Sequence, residues 1–441
     1  MGEWNRARWS IIVAIMLWGP LALLLSGCDL PSPVPPPVTG VPTDTPTLPR
    51  PTPVPTQGTP PPPLVITLTI WTTDAFSPTQ VITSGQLVMQ QVTAFEESHP
   101  DVRLQFIRKK PYGKGGILDY LLTTGAVVPE LLPDLVTIDG DELGTAVQMG
   151  LVQPLDALLP PDLIADLYPF AREAGTLDGR LYGLLFQADL DHGVHDTRKL
   201  SSPPASWSDI LSASLPYLLP AGGQAGLVHD SFLVQYLAVS RWSGDRSEGP
   251  FLDQESLAEV LRFHRDGVTA GVFPPKILEY HSNDQTWRDF LAGQGALAEV
   301  SAYRYRAERN RAPDSAPAAI PSRDGPAAPI GHGWAWALVT SDPTRQSLAV
   351  DWMVQWMDPE LHAAWNGATG YLPTRQSALT MPEEMEEYQS FIHQQLLTAQ
   401  PRPRLPNYAR LAAALQKAVE AVITGTMTPE EAAAQAIEEA Q

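Results

Sequence analysis

Only one cysteine occurs in the 441 residues, so no internal disulfide can form and a disulfide-stapled fold is excluded. Positive charge is scarce as well: 29 Lys and Arg face 49 Asp and Glu, for a formal net charge of −20. That balance argues against polyanionic partners such as nucleic acid. It keeps a chain soluble without naming a ligand. Catalytic signatures are also missing, with no Gly-x-Ser-x-Gly elbow, His-Glu-x-x-His helix, Walker loop or dinucleotide fingerprint. Carboxylate pairs for glycoside hydrolysis depend on a three-dimensional separation, so a surface glycoside-processing enzyme stays open as an alternative. No solenoid-like period is present.

What the chain does have begins at its N-terminus. Arg6 and Arg8 outweigh Glu3, Ile11 to Leu25 is almost wholly apolar, and Leu25-Ser26-Gly27-Cys28 follows. A positive start, an apolar stretch and a small-residue cleavage site make a secretory leader. The stretch falls short of the roughly 20 apolar residues that a membrane span needs. Leu-Ser-Gly-Cys resembles the lipobox of bacterial lipoproteins, whose cysteine becomes the lipid-modified mature N-terminus. The resemblance implies a signal peptide over 1–27, cleavage before Cys28, and a protein held on the extracytoplasmic side of the cell membrane. A lone thiol at that position fits this better than a core cysteine, a metal ligand or a nucleophile. Residues 28–63 then read as anchor and linker: 15 of the 33 positions from 31 to 63 are proline and seven are threonine. Proline-rich chain favours extended polyproline II at about 3.1 Å per residue, giving a spacer of up to roughly 100 Å. A proline-rich peptide for a partner's aromatic groove is the rival reading.

From Leu64 to Gln441 the chain is long enough for two lobes with sizeable cores. Val65 to Trp71 is rich in β-branched residues and predicts a buried strand. Gln86 to Ser98 places Leu87, Val88, Val92 and Phe95 at helical spacing, stopped at His99-Pro100. Val102 to Phe106 and Leu135 to Ile138 predict two further strands, with a helix over Ile117 to Thr124 between them. Strand and helix in alternation point to parallel α/β units. In such sheets ligands sit beyond the carboxyl ends of the strands, here Trp71 to Asp74 and Asp139 to Glu142. The C-terminal third reads as helices over 346–357 and 408–423. Thr428-Pro429-Glu430-Glu431 opens a last one with an N-cap threonine and proline at the first helical position.

Several segments in order resemble one family, the maltose-binding-like, or family 1, extracellular solute-binding proteins of ABC importers. They include the strand ending at Trp71, Phe95-Glu96-Glu97-Ser98-His99-Pro100-Asp101-Val102, and Pro133-Asp134-Leu135-Val136 leading to Asp141. Further on come Gly150-Leu151-Val152-Gln153-Pro154-Leu155, Asp178-Gly179-Arg180-Leu181-Tyr182-Gly183-Leu184 and Pro204-Ala205-Ser206-Trp207. Phe290-Leu291-Ala292-Gly293-Gln294-Gly295-Ala296-Leu297, Gly370-Tyr371-Leu372-Pro373-Thr374-Arg375 and the helix at Thr428 complete the series. The resemblance implies an α/β, two-lobed periplasmic-binding-protein-like fold of class II type, with a ligand in the cleft. Lobe one would hold 64–186 and 326–370, and lobe two 191–322 and 371–441. Hinged lobes of this kind close around the ligand, which lets a permease tell loaded from empty protein.

A sugar offers hydroxyls at its edge and apolar C–H faces, so its site wants aromatic platforms with carboxylates and amides around them. The chain's 12 Trp and 12 Tyr exceed what a core usually needs. By the resemblance, Tyr303 falls at a stacking position and Trp334 at the cleft edge. Tyr371 lies in the Gly-Tyr-Leu-Pro-Thr segment. Trp336, two residues on from Trp334, shares its strand face, whereas Trp207 belongs to a helix-packing segment. Trp71 and Asp74 follow from their place beyond the first strand, a turn or cap aspartate being the rival reading of Asp74. Asp141 matches a ligand-binding carboxylate, and Glu142 stands where the maltose-binding member has an arginine, which argues against identical specificity. Asp230 and Phe232 match a carboxylate and an aromatic of the second lobe, and Gln187 and Asp189 fall at the hinge crossing.

The segment Asp189-Leu190-Asp191-His192-Gly193-Val194-His195-Asp196 departs from the family's apolar strand. Two histidines and three aspartates are a possible donor set for a divalent ion. Alternation puts Asp189 and Asp191 on one face and His192 and Asp196 on the other, so a single ligand set would need a bend at Gly193. A polar hinge is the reading adopted, with no metal and no cofactor. The expectation is thus a monomeric, lipid-anchored binding protein, not an enzyme. It would pass a small solute, best a carbohydrate, to ABC permease subunits. A sensor ectodomain of the same fold is the other alternative.

Overall fold

The computed structural model describes residues 65–80, 82–240, 242, 250–405 and 407–440. Cys28, the leader and the proline-rich linker lie outside them. Eleven strands are described: β1 (Ile66–Thr72), β2 (Val102–Arg108), β3 (Leu135–Asp139), β4 (Thr176–Leu177), β5 (Arg180–Leu181), β6 (Leu184–Asp196), β7 (Tyr217–Leu218), β8 (Leu297–Ser301), β9 (Ser315–Ala318), β10 (Ile330–Leu338) and β11 (Gln400–Pro401). β4 and β5 form a separate ribbon, and the rest make one nine-stranded sheet ordered β2-β1-β3-β10-β6-β8-β7, with β9 on β6 and β11 on β10.

The N-terminal units are parallel, as their alternation predicts. Ile66 to Thr72 pair in register with Val102 to Arg108, and Ile70 and Trp71 with Leu135 and Val136. The helices Thr83–Ser98 and Ile117–Val127 supply the crossovers. Caps follow sequence chemistry. Asp342 accepts from the Arg345 backbone N–H at 2.9 Å ahead of Pro343, opening the helix Pro343–Trp356. Thr428 and Glu431 bond reciprocally ahead of the helix Pro429–Ala440, its Oγ1 accepting from Glu431 N–H at 3.2 Å and its own N–H donating to Oε2 at 3.0 Å.

Two strands organise the middle of the molecule. β6 runs 13 residues without a break. It pairs antiparallel with β10 through Leu184 to Leu190, then with β8 and β9 from Asp191 onward. β10 also pairs antiparallel with β3, Trp334 opposite Asp139. At Gly333 the strands press together, for a Cβ there would meet the Gln187 carbonyl oxygen at 2.1 Å. Just beyond, the register slips between Trp334 and Ala335. That bulge re-aims the side chains beside it.

One face of this sheet is sealed by tryptophans. Trp336, Trp352, Trp356 and Trp365 are fully buried. Trp336, Trp356 and Trp365 pack around Phe186, Trp352 packs on Trp336 and Trp356, and Trp336 lies 5.4 Å and 79° from Trp356. Trp352 and Trp356 come from the helix Pro343–Trp356 and Trp365 from Pro359–Thr369. Most of the apparent tryptophan excess is therefore core. Trp207 is core too, stacked on Phe263 at 4.6 Å and 8°.

Candidate functional site

Beyond the carboxyl ends of β1 and β2 lies a cavity of about 830 Å³, within the ~300–1,000 Å³ usual for small-molecule sites. The turn Thr73–Phe76, the loop Arg108–Tyr112, and Gln187, Trp334 and Tyr371 line it. Gly113 and Gly115 take φ of +66° and +82° to fold the loop back. Its return is fixed by Ile117 N–H donating to the Lys110 carbonyl at 3.1 Å.

Gln187 and Trp334 face the same cavity because they sit opposite each other on β6 and β10. Trp334 is held edge-on to Phe76 at 5.2 Å and tilted against Tyr112 at 5.8 Å. Gln187 is 4% exposed, and its Oε1 has no hydrogen-bond partner among the described residues. Gln187 thus brings to the cavity lining a buried amide oxygen whose acceptor capacity no described residue uses. Tyr371 carries Tyr303 behind it, the rings stacked at 4.7 Å and 23°. Asp74 lines the wall and pairs with Arg108 at 3.1 Å.

Other sequence candidates lie elsewhere. Trp71 is 4% exposed within the core, touching the cavity only through Tyr120 and Lys109 against its ring. Trp336 shares the face of Trp334 but lies deeper, covered by the tryptophan helices. Phe232 is core, edge-on to buried His264 at 5.4 Å. Asp189 caps its neighbourhood instead, accepting from the backbone N–H of Leu190 and Tyr303 at 3.0 Å each, and burial raises its pKa to about 7.

Asp141 and Asp230 are brought together by a residue that no sequence pattern marked. Arg402 forms an ion pair with Asp141 and grips Asp230 with two nitrogens, Nη2 at 2.6 Å and Nε at 3.1 Å. His332 Nε2 adds a contact to Asp230 at 3.1 Å. Burial pushes the Asp230 carboxyl up, but His332 and Arg402 outweigh it and hold the group well below its usual range. Burial likewise lowers His332, yet Asp230 raises it to about 9. Both carboxylates are therefore paired with Arg402, and neither is among the described residues that line this cavity.

Glu142 is half-buried with Oε2 unpartnered; desolvation first, then Asp139 and Asp141, raise its pKa to about 7. Asp139 caps the helix Gly140–Gln148 through Asp141 N–H at 2.9 Å and accepts the Tyr112 hydroxyl at 2.6 Å. Tyr112 was legible in principle, since an aromatic beside a glycine-rich loop after a parallel strand falls where ligands bind. In 189–196, His192 bonds Tyr388 at 3.1 Å and Asp196 pairs with Arg198 at 2.9 Å, so these side chains serve separate partners. No bend forms at Gly193, and among the described residues no three His, Cys, Asp or Glu side chains are grouped to hold a metal.

Solved structures share this architecture. The cyclic alpha-maltosyl-1,6-maltose binding protein from Arthrobacter globiformis matches with a TM-score of 0.66 at 19% identity, over 85% of this chain and 98% of that one. A family 1 extracellular solute-binding protein from Bifidobacterium longum subsp. infantis gives 0.68 at 15% identity, over 85% and 98%. The fold is thus that of the two-lobed α/β binding proteins. Residues 90–391 match the family described as bacterial extracellular solute-binding protein, and the chain belongs to it. The maltotriose-binding protein of Pyrococcus abyssi is 23% identical over 261 residues, covering 57% of this chain. The chain spans 56% of that relative's length. No helix among the described residues is long and apolar enough to cross a membrane.

Proposed function

We propose that this chain captures a carbohydrate outside the cytoplasm and delivers it to an ABC importer without chemically altering it. The observation that carries the reading is the cavity lining, which holds Trp334, Tyr371 and Gln187, whose buried amide oxygen has no partner among the described residues. Flat rings suit sugar C–H faces and a free amide oxygen suits a hydroxyl. The name of the Pyrococcus relative and the sugar-binding structures of like fold support the same ligand class. β6 changes partner near Asp191, which supports a hinge there, between lobes of 64–186 with 326–370 and 191–322 with 371–441.

Calorimetric titration of the mature protein with neutral and charged oligosaccharides tests this. Stoichiometric retention without turnover is the expected result, and hydrolysis would make the protein an enzyme instead. Trp334→Ala should weaken binding by about 1–3 kcal/mol, roughly ten- to hundredfold, because it removes one apolar platform. Wild-type affinity in that variant would remove Trp334 from the site.

The leader and Cys28 extend the proposal to a lipid-anchored monomer. Cys28→Ala should leave the folded body unchanged and release the protein from membranes, since anchoring rests on acylation at that residue. Membrane fractionation checks it: a Cys28→Ala protein still in the membrane pellet would show the apolar leader acting as an ordinary anchor.

A further inference from the structure

The chain has six lysines, and three of them, Lys109, Lys110 and Lys114, fall within one stretch of six residues. The other three are neutralised: Lys199 by Asp196 at 3.6 Å, Lys276 by Asp289 and Lys417 by Glu439 at 2.7 Å. Among the described residues no carboxylate pairs with Lys109, Lys110 or Lys114. In a chain of net charge −20, three lysines without a counter-ion in one loop are conspicuous. Two of them, Lys109 and Lys110, line the cavity.

The remaining lining charges cancel, because Asp74 is the only acidic residue among the described residues of the wall and Arg108 occupies it. The Lys109 ammonium is packed over the rings of Tyr120 at 3.8 Å and Trp71 at 4.6 Å. Those rings fix it in place and remove part of its water without supplying a counter-charge. Burial lowers its pKa accordingly. The acids nearest the loop's tyrosine do not balance it, for Asp139 is engaged by Tyr112, Asp141 by Arg402, and Glu142 does not line the cavity.

We infer that the cavity selects an acidic saccharide, one whose carboxylate or sulfate ester docks against Lys109 and Lys110 while its ring lies on Trp334. This rests on the carbohydrate reading and narrows it. A lysine is a strongly hydrated point charge that suits either kind of anion, so the chemistry shared by uronate and sulfate is what the site reads. Lys109, Lys110 and Trp334 line the same cavity, so ring and acidic group would be held together. A neutral sugar would leave the two ammonium groups unpaired.

The test titrates the mature protein at low salt with maltotriose, trigalacturonate and a sulfated galactan oligosaccharide of similar length. At least one acidic probe should bind on the order of tenfold tighter than maltotriose. That preference should shrink towards unity in 1 M salt, where the Debye length is about 3 Å. Which probe wins identifies carboxylate or sulfate as the source. Lys110→Gln should cut the acidic-to-neutral ratio several-fold, whereas Lys114→Gln, off the cavity wall, should preserve it. Lys110 is exposed, so this variant folds as the parent does, and its melting temperature verifies that. Neutral binding equal to or tighter than acidic binding, or a ratio untouched by Lys110→Gln, overturns the inference and leaves the carbohydrate reading standing. Retention of none of the three overturns both.

Discussion

Arg402→Ala should destabilise the protein by about 3–5 kcal/mol, the usual cost of removing one partner from a buried ion pair. Asp230 is buried, and Arg402 supplies two of the contacts that keep it ionised there. The Asp141 side adds little, because that carboxylate is 41% exposed and solvent screens it. Denaturant unfolding measures the loss, and a change below about 1 kcal/mol would mean water already solvates Asp230. The pH dependence carries its own signature. Asp230's depressed pKa gives stability that is full above its unfolded value of about 3.9 and is lost as pH falls below it. His332 has a raised pKa, so its contribution is full below about 6.5 and is lost as pH rises through about 9. Arg402 repels the His332 cation and helps depress the Asp230 pKa, so removing it should move the alkaline loss to higher pH while shrinking the acid-side loss. The same shift would not follow from a packing defect.

How much of this was readable beforehand differs between framework and site. β1, β2 and β3 were legible because their β-branched runs are short, bounded and locally determined, and the cap at Thr428 is likewise local chemistry. The C-terminal helix faces followed from periodicity alone. The cavity was only partly legible. Its place beyond β1 is a topological rule, and Asp74, Gln187, Trp334 and Tyr371 do line it. Trp336 and Phe232 went to the core because covering helices, set by tertiary packing, decide depth where alternation decides only the face.

Arg402 and the lysine loop show what local pattern withholds. Arg402 stands 261 residues from Asp141 and 172 from Asp230, in a short connection with no motif. Only the pairing of β11 with Ile330 and Gly331 on β10 brings it to them. Its arrival changes the chemistry of two candidate acceptors at once. That no carboxylate among the described residues pairs with Lys109 or Lys110 is similarly a fact about neighbours in space, which spacing along a chain does not record. The lining that results combines aromatic rings, the Gln187 amide and two lysines, without Asp141 or Asp230.

Phe186→Ala should cost a further about 3–5 kcal/mol in the otherwise wild-type protein, the range for deleting a buried aromatic. Phe186 is fully buried on β6, one residue before Gln187. Its ring meets Phe76 at 5.0 Å and 84°, Trp336 at 5.1 Å, Trp356 at 5.7 Å and Trp365 at 5.8 Å. Four aromatic neighbours from separate elements cannot all collapse into the space, so most of the cavity term should persist. Its carbonyl accepts His362 Nε2 at 2.6 Å, which keeps the backbone in register and favours a void over a strand shift. Because Phe76 touches both Phe186 and Trp334, the lost support should also loosen the cavity wall. Phe186→Leu, which refills most of the volume, should recover the larger part of both losses. Denaturant unfolding and ligand titration of the two variants together decide it. An alanine variant within about 1 kcal/mol of wild type would show that the tryptophan cluster closes over the gap, and that the wall around Trp334 does not depend on it.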